Sequence, residues 1–398
     1  MPKTRTADAT SPARSPRRRR VVVTLATLGG VALTGALTVP AAHAQLTPKH
    51  RPDAVQQSVD RLVSVDKFPG VMASVRQADG RVRNYTAGVA DLKTRAKMPV
   101  DGRVRIASNT KMFTATVVLQ LVGEGKVKLD EPVETYLPGV VRGDGIDGRK
   151  ITVRHLLQQT SGLEDYDDGM IGDDFVGALK RYYEPYDLLD IAFAIKPKSQ
   201  PGEKFLYSNT NYVLAGLVAQ KASGRPIGEL ITKRIIEPLG LRHTYWPAEG
   251  DMTIRGTHPR GYVPPMNGSP AIDITETDTS GGWAAGALTG TPSDLNRFLA
   301  ALLGGKLLKP AQLKEMKKTV DAPGFDTVGG SRYGLGIATF KLSCGGVAWT
   351  HGGTAPGYIT AAGVTAAGKA ATVATNSLYP SEESPKHVEQ SLDTALCR

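Results

Sequence analysis

Strand-like segments at the two ends of this chain, with helical segments between them, constrain its fold more than any other feature. Apolar runs of strand length, bounded by glycines and turn residues, occupy residues 71–77, 82–90, 333–342, 347–350, 359–365 and 371–376. Apolar residues recur with the helical period across residues 109–122, 153–159, 212–222, 227–236, 293–303 and 311–317. Because a sheet must bury its apolar face, this order predicts one antiparallel sheet built from both chain ends, beside a helical lobe from the middle.

Two amphipathic helices flank the predicted strands. Apolar residues fall on one face just after residue 54, and again between Val388 and Leu396. The sequence therefore predicts an α+β domain over residues 54–398, with a sheet part from residues 54–105 and 330–398 and a mostly helical part from residues 106–329. The segments 165–174 and 248–276 have no periodicity and are predicted to be loops over a site between the two parts.

The N-terminal segment has the layout of an export signal. Four arginines at residues 17–20 precede an apolar stretch at 21–39, and Ala42-His43-Ala44 offers the small residues that a signal peptidase reads. We predict a signal peptide over residues 1–44, cleavage after Ala44, a secreted protein, and a linker at residues 45–53. An uncleaved anchor is the alternative, and the arginines permit a twin-arginine route without establishing it.

Charge and cysteine content narrow the class of protein further. Residues 1–44 account for six of the eleven net positive charges, and the rest are spread without a long basic run, so nucleic-acid binding is not indicated. The chain has two cysteines, Cys344 and Cys397. An even count in an exported chain favours a disulfide over two separate thiols, and no His or acidic cluster beside them suggests a metal site.

Ser108 and Lys111 stand at the start of an apolar helical segment. Residues three apart share a helix face, so the lysine amine can reach the serine hydroxyl, and the first helical turn favours negative charge. A buried lysine loses proton affinity and can act as a base. Ser108 is therefore the predicted nucleophile. A second Ser-x-x-Lys, at residues 64–67, has no apolar helix after it and is interpreted as structural.

Two further motifs follow along the chain. Tyr207-Ser208-Asn209 offers a phenol that can move protons and an amide that can orient a substrate, although Asn209 could instead cap the next helix. His351-Gly352-Gly353-Thr354 follows a strand-like run, and its glycines allow a peptide-like substrate to pair with the exposed backbone. A lone structural histidine is the alternative interpretation of His351.

Together these motifs resemble the serine β-lactamase and penicillin-binding protein superfamily, in its branch with Tyr-x-Asn and His-x-Gly. The resemblance runs from about residue 54 to Cys397 and includes ITVRHLLQQTSGL, TPSDL and RYGLGIATFKLSCG. It implies a β-lactamase-like fold and an acyl-enzyme mechanism without a cofactor or metal. The sequence is most similar to secreted D-alanyl-D-alanine carboxypeptidases, which also tie a cysteine after YGLG to one in the last helix.

The resemblance assigns a role to each motif residue. Ser108 would form the acyl-enzyme, Lys111 would accept its proton, and Tyr207 would protonate the leaving amine, with the choice of principal base left open. Substrate contacts would come from Asn209, His351, Gly352, Gly353, Thr354 and Trp283. The backbone N–H groups of Ser108 and Thr354 would form the oxyanion hole.

Two departures from the carboxypeptidase pattern concern recognition of a free carboxylate. Gly352 stands where a threonine usually meets that carboxylate, and Ala338 stands where close relatives carry an arginine. Lys341 is three residues further along a strand and is expected to point to the opposite face. Arg332 is the other cation that could occupy the carboxylate position.

The sequence thus predicts a secreted, monomeric serine hydrolase acting on small peptides or β-lactams, with peptidoglycan stem peptides as the leading substrate. The threonine and arginine that bind a free carboxylate in carboxypeptidases, called here the carboxylate clamp, are missing. A β-lactamase, an esterase and a D-amino-acid amidase of the same superfamily are therefore alternatives. A non-catalytic penicillin-binding sensor is the alternative from another class. No His-Glu-x-x-His, Cys-x-x-Cys or Gly-x-Ser-x-Gly motif offers a rival chemistry.

Overall fold

A computed structural model describes residues 53–170, 174–265 and 269–398 of the chain. The predicted signal peptide (1–44) and all of the predicted linker except Asp53 lie outside the described residues. None of the helices in these ranges is both long enough and apolar enough to cross a lipid bilayer.

The described part of the chain contains fourteen strands. They are β1 (Gly70–Arg76), β2 (Val82–Gly88), β3 (Val104–Arg105), β4 (Arg142–Gly143), β5 (Ile146–Asp147), β6 (Tyr262–Val263), β7 (Ile272–Asp273), β8 (Thr289–Gly290), β9 (Val320–Asp321), β10 (Arg332–Tyr333), β11 (Ala338–Lys341), β12 (Val347–Ala355), β13 (Tyr358–Thr365) and β14 (Ala370–Thr375). Eight of them form one sheet in the order β2-β1-β14-β13-β12-β11-β10-β9. The other six form three two-stranded pairs.

Thirteen α-helices complete the described chain. They are α1 (Ala54–Ser64), α2 (Thr110–Gly123), α3 (Val153–Leu157), α4 (Asp167–Met170), α5 (Phe175–Ala178), α6 (Pro185–Phe193), α7 (Thr210–Ser223), α8 (Ile227–Ile231), α9 (Glu237–Leu239), α10 (Trp283–Gly286), α11 (Pro292–Leu303), α12 (Pro310–Met316) and α13 (Ser384–Cys397). Short 3₁₀ turns occur at Ala107–Asn109 and Val133–Thr135, and a π turn at Thr232–Ile236 follows α8.

The two ends of the chain meet in the main sheet, which confirms the predicted fold class. Strand β1 pairs with β14 in antiparallel register, with Val71 opposite Thr375 and Arg76 opposite Ala370. Nearly every residue of β1, β13 and β14 is buried, because helices α1 and α13 pack on one face of these strands and α11 on the other. A disulfide between Cys344 and Cys397 joins the β11–β12 turn to the end of α13, as predicted.

The predicted strand at 333–342 is wrong in one respect, because the structure divides it into β10 and β11. The chain turns tightly between them, and Gly336 there has a φ of +82°. A Cβ atom on Gly336 would lie 2.5 Å from Ala115 Cβ in α2, and one on Gly334 would lie 2.2 Å from a backbone oxygen. Gly336 thus allows the turn to pack directly against α2 and Gly334 allows it to pack against Met316 at the end of α12, and this turn interrupts the ladder.

Helix α2, which carries Lys111, is buried on all sides. Eleven of its fourteen residues are buried, so it shows no amphipathic pattern. It packs against α7 and α10, and Phe113 stacks on Phe298 of α11 with ring centroids 3.7 Å apart. The helix is therefore a rigid axis of the fold on which a reactive group can be held.

Candidate active site

Hydrogen bonds from the Asn109 side chain hold the turn that carries Ser108 in place. Ser108 lies in the 3₁₀ turn that leads into α2, and Ala107 before it has a φ of +50°, which is rare for a residue other than glycine. Asn109 Nδ2 donates to Ile106 O at 2.9 Å and to Thr360 Oγ1 of β13 at 2.7 Å. Strained backbone held in this way is typical of functional sites.

Lys111 is fully buried beside the hydroxyl of Ser108. Its Nζ donates to Ser108 Oγ at 2.9 Å, to Asn209 Oδ1 at 2.5 Å and to Ala285 O at 3.0 Å. Burial lowers the pKa of Lys111 to about 7, although the carboxylates of Asp165 and Asp167 oppose that change. An amine with such a pKa can accept the serine proton at neutral pH.

Tyr207 stands next to the same amine. The Lys111 Nζ lies 5.0 Å from the centroid of the Tyr207 ring, an electrostatically favourable arrangement. Burial raises the pKa of the Tyr207 phenol well above its ordinary value, and a hydrogen bond with Ser108 acts in the opposite direction. The phenol therefore carries its proton at neutral pH and is a proton donor close to the nucleophile.

Asn209 connects the lysine to two carboxylates that the sequence analysis did not single out. Its Oδ1 accepts from Lys111, and its Nδ2 donates to Asp165 Oδ2 at 3.0 Å and to Asp167 Oδ2 at 2.9 Å. Burial raises the pKa of Asp165. Burial and the Asp165 charge raise the pKa of Asp167 to about 7. In the described chain, no hydrogen-bond donor faces Asp167 Oδ1.

Strand β12 presents the third motif to the site along a free edge. Its pairing with β11 ends at Thr350, whereas its pairing with β13 continues to Ala355, so in the described sheet the backbone from residue 351 onward is paired on one side only. A Cβ atom on Gly353 would lie 2.4 Å from Ile106 O, so only glycine allows the strand to approach the nucleophile's turn. At Gly352 a Cβ atom would meet nothing closer than 3.6 Å.

His351 is held as a neutral, buried side chain. Its Nδ1 lies 2.6 Å from Gly352 O and its Nε2 lies 3.0 Å from the Tyr333 hydroxyl. Burial and the charge of Lys111 lower the pKa of His351 to about 3. Because a neutral imidazole has one N–H and Nδ1 faces a carbonyl, Nε2 accepts from Tyr333. His351 thus fixes the position of the strand.

Two cavities meet at Ser108. The first, called here the apolar cavity, has a volume of about 250 Å³ and is lined mainly by apolar side chains, among them Tyr166, Met170, Phe175, Leu179, Tyr183 and Pro356. The second, called here the long cleft, has a volume of about 810 Å³ and is lined by residues that include Tyr207, Phe325, His351, Gly352, Gly353 and Glu389. Four residues line both: Ser108, Asp167, Asn209 and Thr354.

The structure brings all the predicted site residues together except Trp283. Trp283 lines neither the apolar cavity nor the long cleft. Its ring packs against α7, where a Cβ atom on Gly216 would lie 2.8 Å from it, and it borders a separate groove with Trp246. A substrate contact by Trp283 therefore stays a prediction that this geometry does not favour.

The second Ser-x-x-Lys has a different geometry. Lys67 Nζ donates to the backbone oxygen of Ser64 at 2.6 Å, not to its hydroxyl, and both side chains are exposed. Neither residue lines the apolar cavity or the long cleft. Ser64 is thus placed as a surface residue at the end of α1.

Aromatic side chains surround Ala338, the position at which close relatives carry the arginine of the carboxylate clamp. Ala338 is completely buried in a small cluster with Tyr333, against which Phe205, Tyr207 and Phe325 pack. Arg332 is exposed and pairs with Asp321, and Lys341 is exposed on the opposite face of β11. Neither cation lines the long cleft. The described residues that do line it include no lysine or arginine.

Two of the site residues that the sequence analysis missed share one weak signal. Asp165 and Asp167 lie in the segment 165–174, which was predicted to be a loop over the site because it lacks periodicity. Acidic residues in such a loop could have been proposed as substrate contacts. Phe325 had no comparable signal, because its packing on Tyr207 and His351 joins elements that are far apart in the chain.

Comparison with known proteins assigns the chain to a family. The Beta-lactamase family model matches residues 55–396. Protein flp of Staphylococcus aureus (strain NCTC 8325 / PS 47) is 30% identical over 196 residues, which cover 48% of this chain and 38% of that protein, so the match spans less than half of this relative. The D-alanyl-D-alanine-carboxypeptidase/endopeptidase AmpH of Escherichia coli (strain K12) is 27% identical over 285 residues, 71% of this chain and 70% of that protein.

A solved structure with a similar fold extends this agreement. The D-stereospecific amidohydrolase from Streptomyces sp. superposes with a TM-score of 0.77 at 37% sequence identity, over 85% of this chain and 97% of that one. The chain therefore belongs to the Beta-lactamase family and is a hydrolase of the serine β-lactamase and penicillin-binding protein superfamily.

Proposed function

We propose that this protein hydrolyses amide or ester bonds formed by the carboxyl group of a D-amino acid whose α-ammonium group is free. The observation that carries the proposal is Asp167, a partly buried carboxylate that lines both cavities together with Ser108, and its neighbour Asp165, which lines the long cleft and shares the Asn209 amide with Asp167. An α-ammonium nitrogen, two bonds from the reacting carbonyl carbon, would reach this point while the carbonyl lies at Ser108.

The electrostatics of the carboxylate pair support an ammonium ligand. Burial and mutual repulsion raise the pKa of Asp167 to about 7, so the free site tends to hold a proton there. A bound ammonium would replace that proton and offset the repulsion. No third His, Cys or acidic side chain in the described chain completes a group that could hold a metal ion.

The leaving-group side supports the same substrate class. Tyr207 would protonate the departing amine, so the long cleft that it lines would receive the leaving group. The lining of that cleft contains Asp168, Asp326 and Glu389 and, within the described residues, no lysine or arginine. Such a cleft does not favour a leaving group with a free carboxylate. The relative at 37% identity is named a D-stereospecific amidohydrolase, which supports both the bond type and the D configuration.

The proposed mechanism uses four groups. Lys111 accepts the Ser108 proton across 2.9 Å as Oγ attacks the carbonyl carbon, and the N–H groups of Ser108 and Thr354 receive the oxyanion. The carbon–nitrogen bond breaks while Tyr207 donates its proton to the amine, and Lys111 returns a proton to Tyr207. Water then attacks the acyl carbon while Lys111 accepts one of its protons. The bond between that carbon and Ser108 Oγ breaks as Lys111 returns the proton to Oγ, and the free acid leaves.

A second candidate function is D-alanyl-D-alanine carboxypeptidase activity on peptidoglycan stem peptides. It is favoured by the similarity to AmpH over 70% of that protein's length. The absence of a cation from the described lining of the long cleft counts against it. In either case we propose that the protein is exported, that residues 1–44 are removed and that it is a monomer. The disulfide between Cys344 and Cys397 supports export, because such bonds persist in oxidising compartments.

The test compares three substrates: a D-aminoacyl amide, its N-acetyl derivative and an N-acetylated D-alanyl-D-alanine peptide. We expect kcat/KM for the free-ammonium substrate to exceed that of its N-acetyl form at least tenfold. Equal or faster turnover of the N-acetylated peptide would reject the proposal in favour of the carboxypeptidase. Ser108→Ala should abolish turnover and covalent labelling by penicillin, and Ser64→Ala is the matched control that should retain both.

A further inference from the structure

The apolar cavity lies on the acyl side of the bond that is cleaved. Tyr207 and His351 line the long cleft and do not line the apolar cavity. Since the departing group must reach the proton donor Tyr207, it leaves through the long cleft. The apolar cavity opens from the same Ser108 in another direction, so it faces the part of the substrate that stays on the serine.

We infer that the apolar cavity binds the side chain of the acylating amino acid and selects a bulky, apolar side chain of aromatic size. This inference rests on the proposed function for the identity of the acyl group. The substrate would then be held at three points: its carbonyl at Ser108, its ammonium at Asp167 and its side chain in the apolar cavity. Three such contacts around one Cα distinguish the two enantiomers of an amino acid.

The size and chemistry of the cavity support this occupant. A dry cavity of about 150 Å³ is enough to hold benzene in another protein, and the apolar cavity has a volume of about 250 Å³. Its walls include the rings of Tyr166, Phe175 and Tyr183. Moving a phenyl-sized side chain from water into such a site should improve kcat/KM by about ten- to a hundredfold over a methyl side chain.

Charged side chains in the wall define the competing occupant, since Arg105, Asp167, Arg181 and Asp278 all line the cavity. Arg105 is almost fully buried, and its Nη2 donates to the backbone oxygens of Met252, Thr275 and Thr277. Its Nε and Nη1 have no partner in the described structure. An acidic acyl side chain could use these N–H groups, so a D-glutamyl substrate must be part of the test.

Gly281 offers a way to change the cavity without touching the catalytic groups. A Cβ atom built on Gly281 would lie 3.5 Å from Met170 Sδ and 3.8 Å from Tyr183 Cδ2, which are ordinary contact distances. Its backbone oxygen, which accepts from the Tyr166 hydroxyl at 2.6 Å, is unaffected by a side chain. Gly281→Ala and Gly281→Leu therefore fill the cavity in two steps. The matched control, Gly352→Ala, adds a methyl group on the long cleft instead.

The experiment measures kcat/KM for D-alanyl, D-norleucyl, D-phenylalanyl and D-glutamyl amides, each with a free and an acetylated amino group. We expect D-phenylalanyl to exceed D-alanyl at least tenfold. Gly281→Leu should lower D-phenylalanyl turnover far more than D-alanyl turnover and so remove that preference, with Gly281→Ala in between. Gly352→Ala should leave the side-chain preference unchanged.

Each adverse outcome identifies which idea has failed. Equal turnover of D-alanyl and D-phenylalanyl amides, or a preference for D-glutamyl, would overturn the assignment of the cavity even if free ammonium groups are required. A strong D-phenylalanyl preference that is the same for acetylated and free substrates would support the cavity and reject the ammonium site. If Gly281→Leu does not fold, shown by a lost thermal transition, the parent enzyme's substrate series and Gly281→Ala still decide.

Discussion

Replacing Asp167 with asparagine should separate recognition of the ammonium group from the chemistry at Ser108. Asparagine has nearly the shape of aspartate, and its Oδ1 can still accept the hydrogen bond from Asn209 Nδ2, which measures 2.9 Å. The substitution therefore removes a charge and leaves the packing almost unchanged. Asp168→Asn is the matched control, because it removes the same charge from an exposed neighbouring residue.

The size of the effect follows from the type of contact. A charge-assisted hydrogen bond in a partly buried site contributes about 1.5–3 kcal/mol, which corresponds to about a ten- to hundredfold rise in KM for a free-ammonium substrate. The assay belongs at pH 8, because the pKa of Asp167 is raised to about 7 and only half of the free enzyme would be ionised there at pH 7. An N-acetylated substrate should lose less than threefold.

The pH dependence of kcat/KM is a second readout, which distinguishes loss of the Asp167 charge from a purely structural effect of the substitution. The Asp167 charge raises the pKa of Lys111, against the larger effect of burial. In Asp167→Asn the rise of kcat/KM with pH should therefore move to lower pH. If both substrates lost activity equally and the pH profile did not move, the carboxylate would not be an ammonium site. If Asp168→Asn matched Asp167→Asn, net charge rather than position would be responsible.

Three further predictions concern the catalytic base, the glycine strand and the disulfide. With an N-acetylated substrate, kcat/KM should rise as the pH is raised through about 7, because Lys111 becomes a base only when it loses its proton; a flat profile from pH 5 to 9 would contradict this. Gly353→Ala should lower kcat at least a hundredfold while Gly352→Ala stays within about fivefold, because the two Cβ atoms would lie 2.4 Å and 3.6 Å from their nearest neighbours. Reduction of Cys344–Cys397 should lower the free energy of unfolding by roughly 2–4 kcal/mol in chemical denaturation, with unchanged midpoints counting against a stabilising bond.

Much of the fold could be predicted from local sequence patterns. Apolar runs at the chain ends indicated the strands that close the sheet, since β1 and β14 are buried on both faces and read as continuous apolar segments. The Ser-x-x-Lys pair needed no long-range information, because the i, i+3 spacing on a helix places Lys111 Nζ within 2.9 Å of Ser108 Oγ. These predictions depend on periodicity, which the sequence displays directly.

The carboxylate pair could not be predicted in the same way. Asp165 and Asp167 stand in a segment without periodicity, and they meet Asn209 across more than forty residues of chain. Their raised pKa values arise from burial by surrounding elements, which no local pattern reveals. Trp283 shows the opposite error, because it was predicted to contact the substrate. The packing of α10 turns its ring toward a different groove, which it lines together with Trp246.

Aromatic rings occupy the space around Ala338, so the missing carboxylate clamp involves more than the substitution at that one residue. Sequence analysis noted alanine at residue 338, but the structure shows that Phe325 and Tyr333 close over this position, so an arginine there would have to displace an aromatic ring. A free carboxylate in the long cleft would meet Asp326 and Glu389 and no cation of the described chain. Beside Ser108, Asp167 borders both cavities and Asp165 borders the long cleft, so two carboxylates can face a cationic acyl group. Under the proposed function both differences favour the same substrate, because recognition by charge would lie on the acyl group and not on the leaving group. Creating a free-acid peptidase from this chain would therefore require changes at Phe325 and Asp167 as well as at Ala338.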